Sequence, residues 1–315
     1  MTEQITRPKR RAINQKNIDF AERLAERTEE MQLEGRSLWQ DAKRRFFRNK
    51  AAVASLLILA LVLIFISITP FLLPFTYEDT DWNLMSAAPT MEGYHFFGTD
   101  ASGRDLLVRV AIGGRISLMV GIAGALISVI IGTIYGAISG YIGGKTDMVM
   151  MRFLEILSSF PFMFFVILLV TFFGQNILLI FVAIGAIAWL GLARIVRGQT
   201  LSLKNKEFVE AAIVCGVSRR QIILKHIIPN VLGIVAVYAS LEVPGLILFE
   251  SFLSFLGLGT QEPMSSWGAL LSDGAAQMET SPWLLGFPAL FLCLTLFCFN
   301  FIGDGLRDAL DPKDR

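Results

Sequence analysis

The chain has 315 residues, of which 54% are hydrophobic and only 17% are charged, and its mean hydropathy is +0.58. This composition is too apolar for an ordinary soluble domain. The formal net charge of +1 provides no bulk positive field, so no nucleic-acid partner is expected. The three cysteines, Cys215, Cys293 and Cys298, have neither the number nor the spacing of a disulfide framework or a metal site.

The first fifty residues are polar and basic, with 13 Lys and Arg against 8 Asp and Glu. Three aromatic residues, Trp39, Phe46 and Phe47, lie among these bases. The pattern predicts an amphipathic helix over residues 37–49 that lies on the inner leaflet of a membrane.

Six apolar segments follow, each close to the length that crosses the hydrocarbon core at 1.5 Å per residue. They cover residues 51–70, 116–141, 153–173, 176–193, 231–258 and 283–302. Glycines three or four residues apart in the second segment predict a tightly packed interior helix, because helices in lipid associate through close contact of small residues. Pro161 and Pro244 predict kinks in the third and fifth segments. The expected fold class is therefore an all-α integral membrane protein with six transmembrane helices.

Loop charges predict the orientation, because cytoplasmic loops carry an excess of Lys and Arg. Residues 74–104 carry five acids and one base, and residues 259–282 carry three acids and no Lys or Arg. Residues 194–225 carry seven bases and two acids. Both termini and the basic loop are therefore expected in the cytoplasm, with the two acidic loops outside. The expected organisation is a cytoplasmic N-terminal region at 1–50, a membrane domain at 51–310 and a cytoplasmic tail at 311–315.

The basic loop at residues 204–230 contains two short helical patterns that meet at Gly216. A glycine there can take the left-handed conformation that ends a helix. Ser218 then begins the second helix, and Gln221 follows at the spacing of a capping box. Pro229 stops that helix or starts the next one.

The order Glu210-Ala211-Ala212, then Gly216, then Pro229 resembles the EAA loop in the membrane subunits of bacterial ABC importers. In that family the loop forms a short cytoplasmic coupling helix, which docks in a groove on the ATPase subunit. The resemblance therefore implies an ATPase-coupling site in this loop. Its expected residues are Glu210, Ala211, Ala212, Gly216, Arg219, His226 and Pro229.

Further motifs resemble those of the dipeptide and oligopeptide branch of ABC permeases, and most closely its C-type subunits. They are FGTDASGRD at 97–105, GGRIS at 113–117, SFLGLG at 254–259, SWG at 266–268 and NFIGDGLRDALDP at 300–312. The usual pattern has Ile and Leu where this chain has His226 and Ile228, and His is a common variation in the peptide-importer branch. In the first motif, Asp100 or Asp105 is expected to pair with Arg104.

The resemblance implies the type I ABC importer permease fold, in a subunit that forms the pore for oligopeptides entering through a bacterial inner membrane. The implied partners are a second homologous permease subunit, two ATPase subunits, a periplasmic solute-binding protein and the lipid bilayer. ATP and Mg²⁺ would be bound by the ATPase subunits, and no cofactor by this chain. Alternative solutes are dipeptides, murein peptides and nickel. The alternative class is a self-sufficient secondary transporter or channel, which tends to show intramembrane charge chains or broken inverted-repeat helices.

Enzymatic activity is not expected, because no catalytic arrangement can be argued from the spacing. His95 and His226 lie in different loops and are too isolated for a metal pair or a catalytic dyad. The sequence GKT at 144–146 matches only the end of a phosphate-binding loop.

Glu242 and Glu250 are unusual because both lie in the fifth apolar segment. Glu242 is about 18 Å along that segment by helix rise, near mid-bilayer. A charge there costs roughly 2.5–3.5 kcal/mol on insertion scales, so the side chain should face the bundle interior or water. Glu250 is expected near the outer surface. Both are candidates for the solute path, and the alternative for Glu242 is a protonated or hydrogen-bonded side chain packed beside Pro244.

Overall fold

The computed structural model describes residues 38–174 and 177–310, and these residues form helices joined by loops. Within the described residues the only β structure is an isolated bridge between Thr99 and Asp105. The predicted tail at 311–315 and most of the predicted N-terminal region lie outside the described residues. The helices are α1 (Leu38–Arg48), α2 (Lys50–Leu72), α3 (Leu106–Ile142), α4 (Gly144–Ser159), α5 (Phe162–Phe173), α6 (Ile177–Leu203), α7 (Glu207–Val214), α8 (Arg219–Ile222), α9 (Ile228–Phe255), α10 (Trp267–Ala276) and α11 (Trp283–Leu310), with a 3₁₀ turn at Glu92–Tyr94 and a π-helix at Ile223–Ile227.

Five helical runs in the described part of the chain are long and apolar enough to cross a membrane. They are α2, α3, the Phe181–Leu203 part of α6, the continuous run Arg219–Phe255 and α11. A sixth span is formed if α4 and α5 are counted together, since they are bent by 71° at a short break. Pro161 lies at this break, and Phe160 before it has the extended conformation that proline imposes on its predecessor. The predicted kink at Pro161 is therefore confirmed. Pro244 lies inside α9, and the kink predicted there stays a prediction.

Two helices extend well beyond the spans predicted from hydropathy. α3 begins at Leu106 instead of residue 116, because Asp105 caps it by accepting a hydrogen bond from the Val108 amide at 2.9 Å. α6 continues to Leu203, ten residues past its predicted end. The 37 residues of α3 extend over about 55 Å, far more than the ~30 Å hydrocarbon core. Hydropathy marks the part of a helix that suits lipid and does not mark where the helix ends.

The second apolar segment is an interior helix, as predicted. Gly132, Gly136 and Gly140 of α3 lie one turn apart on the face that packs against α6. A Cβ atom at Gly132 would lie 3.0 Å from the carbonyl oxygen of Trp189, and one at Gly140 would lie 2.8 Å from that of Arg197. The two backbones can approach this closely only because these positions carry no side chain. We refer to Gly132, Gly136 and Gly140 as the glycine ladder.

The short helix α1 packs on the last helix of the bundle. Asn49 separates α1 from α2 and caps α2, its side-chain oxygen accepting from the amides of Ala51 and Ala52. Ala42 is buried, and a Cβ atom at Gly305 of α11 would lie 3.5 Å from the Phe46 ring, whereas Phe47 is 55% exposed. One part of the apolar face of α1 therefore packs against α11, and the other part is exposed. Its placement on the inner leaflet stays a prediction.

The bundle has two chemically different ends. The acidic end carries the loops at residues 73–105 and 256–282, and the basic end carries the loop at 204–230. The sequence did not predict α10, which lies at the acidic end and buries Trp267 completely. The Trp267 indole donates to the carbonyl of Val110 at 3.0 Å, which fixes α10 against the beginning of α3.

Candidate coupling surface and solute path

The loop at the basic end has the local structure that its sequence predicted. Gly216 has φ of +76° and follows the end of α7, so it takes the left-handed conformation that glycine adopts without strain. Ser218 caps α8 by accepting from the Gln221 amide at 3.4 Å. The Gln221 side chain accepts from the Ser218 amide at 3.3 Å, which completes the capping box.

The two faces of α7 have different environments. Val209 and Ala212 are buried and pack in a cluster with Ile222 and Ile227. The opposite face is exposed and includes Glu210 and Ala211. Ile213 and Val214 extend this surface and are 53% and 87% exposed. We call the exposed residues Glu210, Ala211, Ile213, Val214 and Gly216 the coupling surface. An apolar group of this kind beside charged residues is typical of a protein interaction site.

The second half of the loop joins the coupling surface to a membrane helix. Arg219 is exposed at the start of α8, and the chain then continues through the π-helix that contains His226. Pro229 is the second residue of α9, so it starts a helix and does not stop one. π-Helical turns occur mostly as single bulges and often at functional sites. Of the seven predicted coupling residues, only Ala212 is buried.

A cavity of about 560 Å³ separates this loop from the end of α3. Tyr141 and Ile142 line it on one side, and Val217 and Ile222 line it on the other. The loop is therefore not packed tightly against α3 along its whole length.

Glu242 lies half-buried on α9, near Ser128 of α3, whose hydroxyl donates to the carbonyl of Ala188 on α6 at 3.1 Å. It belongs to a face of α9 that is otherwise exposed and apolar. Tyr238, Gly245 and Leu248 lie on this face, and nothing within 4 Å fills the space that a Cβ atom at Gly245 would take. Both interpretations of Glu242 therefore agree with its surroundings, because it is partly accessible and also lies beside a hydroxyl group.

Glu250 lies inside the chain, with no exposed surface. Its carboxyl group accepts from the hydroxyls of Ser117 at 2.9 Å and Ser254 at 2.7 Å. Ser117 in turn accepts from the Trp267 amide at 3.2 Å, so this group connects α3, α9 and α10. A contact between Glu250 and solute stays a prediction, and it would require these helices to separate.

The motif FGTDASGRD at 97–105 contributes to an ionic cluster at the acidic end, in which Asp100, Arg104 and Arg109 are buried and the Glu262 side chain is 66% exposed. Arg104 donates to Asp100 at 2.7 Å and to Glu262 at 2.5 Å, and Arg109 donates to the same oxygen of Asp100. The predicted pairing of Arg104 is therefore made by Asp100. Asp105 instead caps α3 and lies 2.8 Å from Nδ1 of His95.

Charge and burial compete in this cluster. Burial of Asp100 opposes its ionisation, but the charge of Arg109 and the hydrogen bonds from Arg104 outweigh burial and lower its pKa. The hydrogen bond from Arg104 also lowers the pKa of Glu262. Burial raises the pKa of Asp105 despite the hydrogen bonds that it accepts. The sequence did not indicate that Arg109 and Glu262 belong to this cluster. No local pattern predicts the pairing of Arg104 with Glu262, because the two residues are 158 positions apart.

A second ion pair was also missed. Arg197 of α6 donates two hydrogen bonds to Asp147 of α4, near the basic end. The two residues are 50 positions apart. The available signal was an acid and a base at the ends of two apolar segments, which does not by itself identify a pair.

Comparisons with known proteins agree with this geometry. A family model described as "Binding-protein-dependent transport system inner membrane component" matches residues 128–315, and "N-terminal TM domain of oligopeptide transport permease C" matches residues 37–89. The chain is 88% identical over 315 residues to the oligopeptide transport system permease protein OppC of Haemophilus influenzae, with full coverage of both. It is 72% identical to the OppC protein of Escherichia coli K12, covering 96% of this chain and 99% of that protein.

Two more distant proteins also match this chain, a relative named for dipeptide transport and a solved structure. The dipeptide transport system permease protein DppC of Bacillus subtilis is 45% identical, covering 89% of this chain and 87% of that protein. A solved structure of the MetNI methionine ABC transporter in an inward-facing conformation matches with a TM-score of 0.54. It is 17% identical and covers 65% of this chain and 96% of the matched chain, so it supports the fold alone.

Proposed function

The chain belongs to the family of binding-protein-dependent transport system inner membrane components, and we propose that it is the pore-forming permease subunit of an ATP-driven importer of oligopeptides. The observation that carries this proposal is the coupling surface. It is an exposed, largely apolar turn at the basic end, and the helical run that begins just after it at Arg219 continues through a π-helix into the membrane helix α9. An exposed apolar group outside the membrane-spanning helices is typical of a protein interaction site.

The proposed solute is an oligopeptide. At 45% identity the comparison does not separate the two solute classes, because Bacillus subtilis proteins named for oligopeptides and for dipeptides are equally similar to this chain. At 72–88% identity the relatives considered above are all named oligopeptide permeases. These more similar relatives support an oligopeptide solute over dipeptides, murein peptides or nickel.

In the proposed complex, the coupling surface docks on one of two ATPase subunits, which bind ATP and Mg²⁺ and perform the hydrolysis. A second homologous permease completes the pore, and a periplasmic binding protein delivers solute at the acidic end. The switch between inward- and outward-facing states requires contacts that differ between the two states. Movement of α8 would reach α9 directly, because the π-helix joins these two helices without a non-helical linker. Movement of α7 would reach α8 through the turn at Gly216.

The proposed location is the bacterial inner membrane, with both termini and the basic end in the cytoplasm. The predicted solute path includes Glu242, whose face of α9 is partly accessible in this chain. Glu250 would join the path only in another conformation, because it has no exposed surface in this one.

The experiment that tests coupling compares two substitutions at Gly216 in the full complex. Gly216→Val places a β-branched residue at φ of +76°, which costs about 1–2 kcal/mol and displaces the coupling surface. Gly216→Asn is the matched control, because asparagine tolerates the left-handed conformation. The Val variant, and Glu210→Arg on the same surface, should reach the membrane but lose ATPase subunits or uncouple hydrolysis from uptake. Full ATPase binding and full uptake in both would overturn the assignment.

A further inference from the structure

An ion pair joins three helices near the basic end, and the proposed function makes no use of it. Arg197 of α6 donates from Nε to Oδ1 of Asp147 and from Nη2 to Oδ2, each at 2.5 Å. Asp147 lies in the first turn of α4. Ser139 of α3 donates its hydroxyl to the same carboxylate at 2.6 Å. One carboxylate on α4 is therefore held by side chains from two other helices.

The Asp147–Arg197 pair is partly shielded from solvent, whereas the Arg152–Glu155 pair within α4 is exposed. The side chains of Asp147 and Arg197 are 15% and 31% exposed. Arg152 and Glu155 are 75% and 58% exposed, and a single hydrogen bond of 3.2 Å joins them. Exposed pairs contribute little to stability, whereas a bidentate pair with an additional donor fixes geometry. The Arg152–Glu155 pair is therefore an internal control for the loss of a charge on α4.

The ion pair lies directly before the coupling loop. From Arg197, α6 continues to Leu203, and α7 begins at Glu207. Lys204 between them donates to the carbonyl of Gly140 on α3 at 3.3 Å. The glycine ladder holds α3 against α6 along the same stretch. A displacement of the coupling loop would therefore move α6 and α3 together.

The helix α4 has a non-helical residue at each of its ends, Gly143 before it and Phe160 after it. Gly143 separates it from α3 with φ of +68°, and the 71° bend follows it. Midway along α4, Leu154 is buried against Trp189 and Leu190 of α6. Asp147 holds the first turn of α4 to α6, and Tyr135 of α3 holds the next turn by donating to the carbonyl of Met150 at 2.7 Å.

From this arrangement we propose that Asp147 and Arg197 are positioning residues for transport. Their ion pair makes the bent pair α4–α5 follow the movement of the coupling loop. The inference rests on the proposed function, because it assumes that an ATPase moves this loop. Neither residue contacts solute in this account.

The test uses the complete transporter in proteoliposomes, with its ATPase subunits, its binding protein and a labelled peptide. Asp147→Asn, Arg197→Gln and the double variant are compared with Glu155→Gln as the matched control. The readout is peptide uptake per ATP hydrolysed. Each single variant should keep its ATPase subunits and hydrolyse ATP, while uptake per ATP falls at least about fivefold, the lower end of the usual coupling between sites. The double variant should be no worse than the single ones, because the pair acts as a unit.

The control and the conservative variant distinguish positioning from a general loss of folding. Glu155→Gln should match the wild type. Arg197→Lys keeps the charge but not the bidentate geometry, so it should assemble normally and still lower uptake per ATP. Parallel losses of assembly, hydrolysis and uptake in all variants would overturn the proposal, and so would an unchanged ratio of uptake to hydrolysis. Absence of ATP-dependent uptake in the wild-type complex would instead contradict the proposed function itself.

Discussion

Gly136 on α3 lies directly against the backbone of Ala193 on α6, so closely that a Cβ atom at Gly136 would collide with the Ala193 carbonyl oxygen. Gly132 and Gly140 make the same kind of approach one turn to either side. The closest part of the contact between these helices is therefore made by backbone atoms, which cannot adjust by side-chain rotation. Because α6 leads into the coupling loop, this contact also determines where the coupling surface lies.

A side chain at Gly136 should therefore destabilise the chain. Gly136→Val should lower the free energy of unfolding by about 1–3 kcal/mol, the usual cost of overpacking a core. Gly191→Val on α6 is the matched control, because nothing lies within 4 Å of the point that a Cβ atom at Gly191 would occupy. Thermal unfolding of the purified permease in detergent provides the measurement. Equal melting temperatures for the two variants would contradict the tight α3–α6 contact.

The ionic cluster at the acidic end predicts a specific pH dependence. Asp100 and Glu262 have pKa values below their ordinary values of 3.8 and 4.5, so their ionised forms stabilise the folded state. This contribution is complete above the ordinary values and is lost as the pH falls through the lowered ones. Glu262→Gln should therefore melt below the wild type at neutral pH. The difference should shrink as the pH falls below 4.5, because the carboxylate of the unfolded chain then begins to take up a proton while that of the folded chain stays ionised to a lower pH.

Melting curves of both proteins between neutral pH and pH ~3 test this sign. Glu155→Gln controls for the loss of any exposed carboxylate, since Glu155 pairs only at the surface of α4. A difference between Glu262→Gln and the wild type that grows on acidification would show that the sign is wrong.

Much of the helical pattern could be predicted from the sequence, but most of the long-range pairing could not. Gly216 and the Ser218 capping box were predicted correctly because turn and cap preferences depend on neighbouring residues. The Pro161 break was predictable for the same reason. The pairs Arg197–Asp147 and Arg104–Glu262 join residues far apart in the chain, and no local pattern indicates which charges will meet.

The helix ends and α10 were missed for related reasons. High hydropathy marks only the residues of a helix that suit lipid. It therefore does not indicate how many further residues of α3 and α6 are helical. Ten residues of moderate polarity, as in α10, have no periodic pattern long enough to predict a helix. The burial of Trp267 depends on α3 and could be seen only in three dimensions.

Glu242 should influence transport without being needed for assembly. Glu242→Leu removes the carboxyl group from an otherwise apolar, partly exposed face of α9, so it should lower uptake or alter solute preference while the complex still forms. Glu242→Gln, which keeps hydrogen bonding, shows whether the charge itself is needed. Ser128→Ala removes the hydroxyl beside Glu242 together with its hydrogen bond to the Ala188 carbonyl, so it shows whether that neighbour affects transport while the carboxyl group is kept. Normal transport by the Leu variant would remove Glu242 from the solute path.

The loop charges predict six spans with both termini in the cytoplasm. Reporter fusions after residues 85, 175 and 270 should indicate an outside location, and fusions after residues 145 and 210 should indicate the cytoplasm. The fusion after residue 175 is the most informative, because it reports whether α4 and α5 together cross the membrane or return to the same side. An inside signal after residue 175 or 270 would contradict the six-span topology.

The most direct test of the proposed function is solute uptake by the reconstituted complex. The permease would be purified with its permease and ATPase partners, placed in proteoliposomes with the binding protein, and supplied in separate experiments with a labelled pentapeptide, a labelled dipeptide or nickel. The account predicts pentapeptide uptake that requires both ATP and the binding protein, with weaker uptake of the dipeptide and none of nickel. Pentapeptide uptake without ATP, or ATP-dependent uptake of nickel or the dipeptide in preference to the pentapeptide, would contradict it.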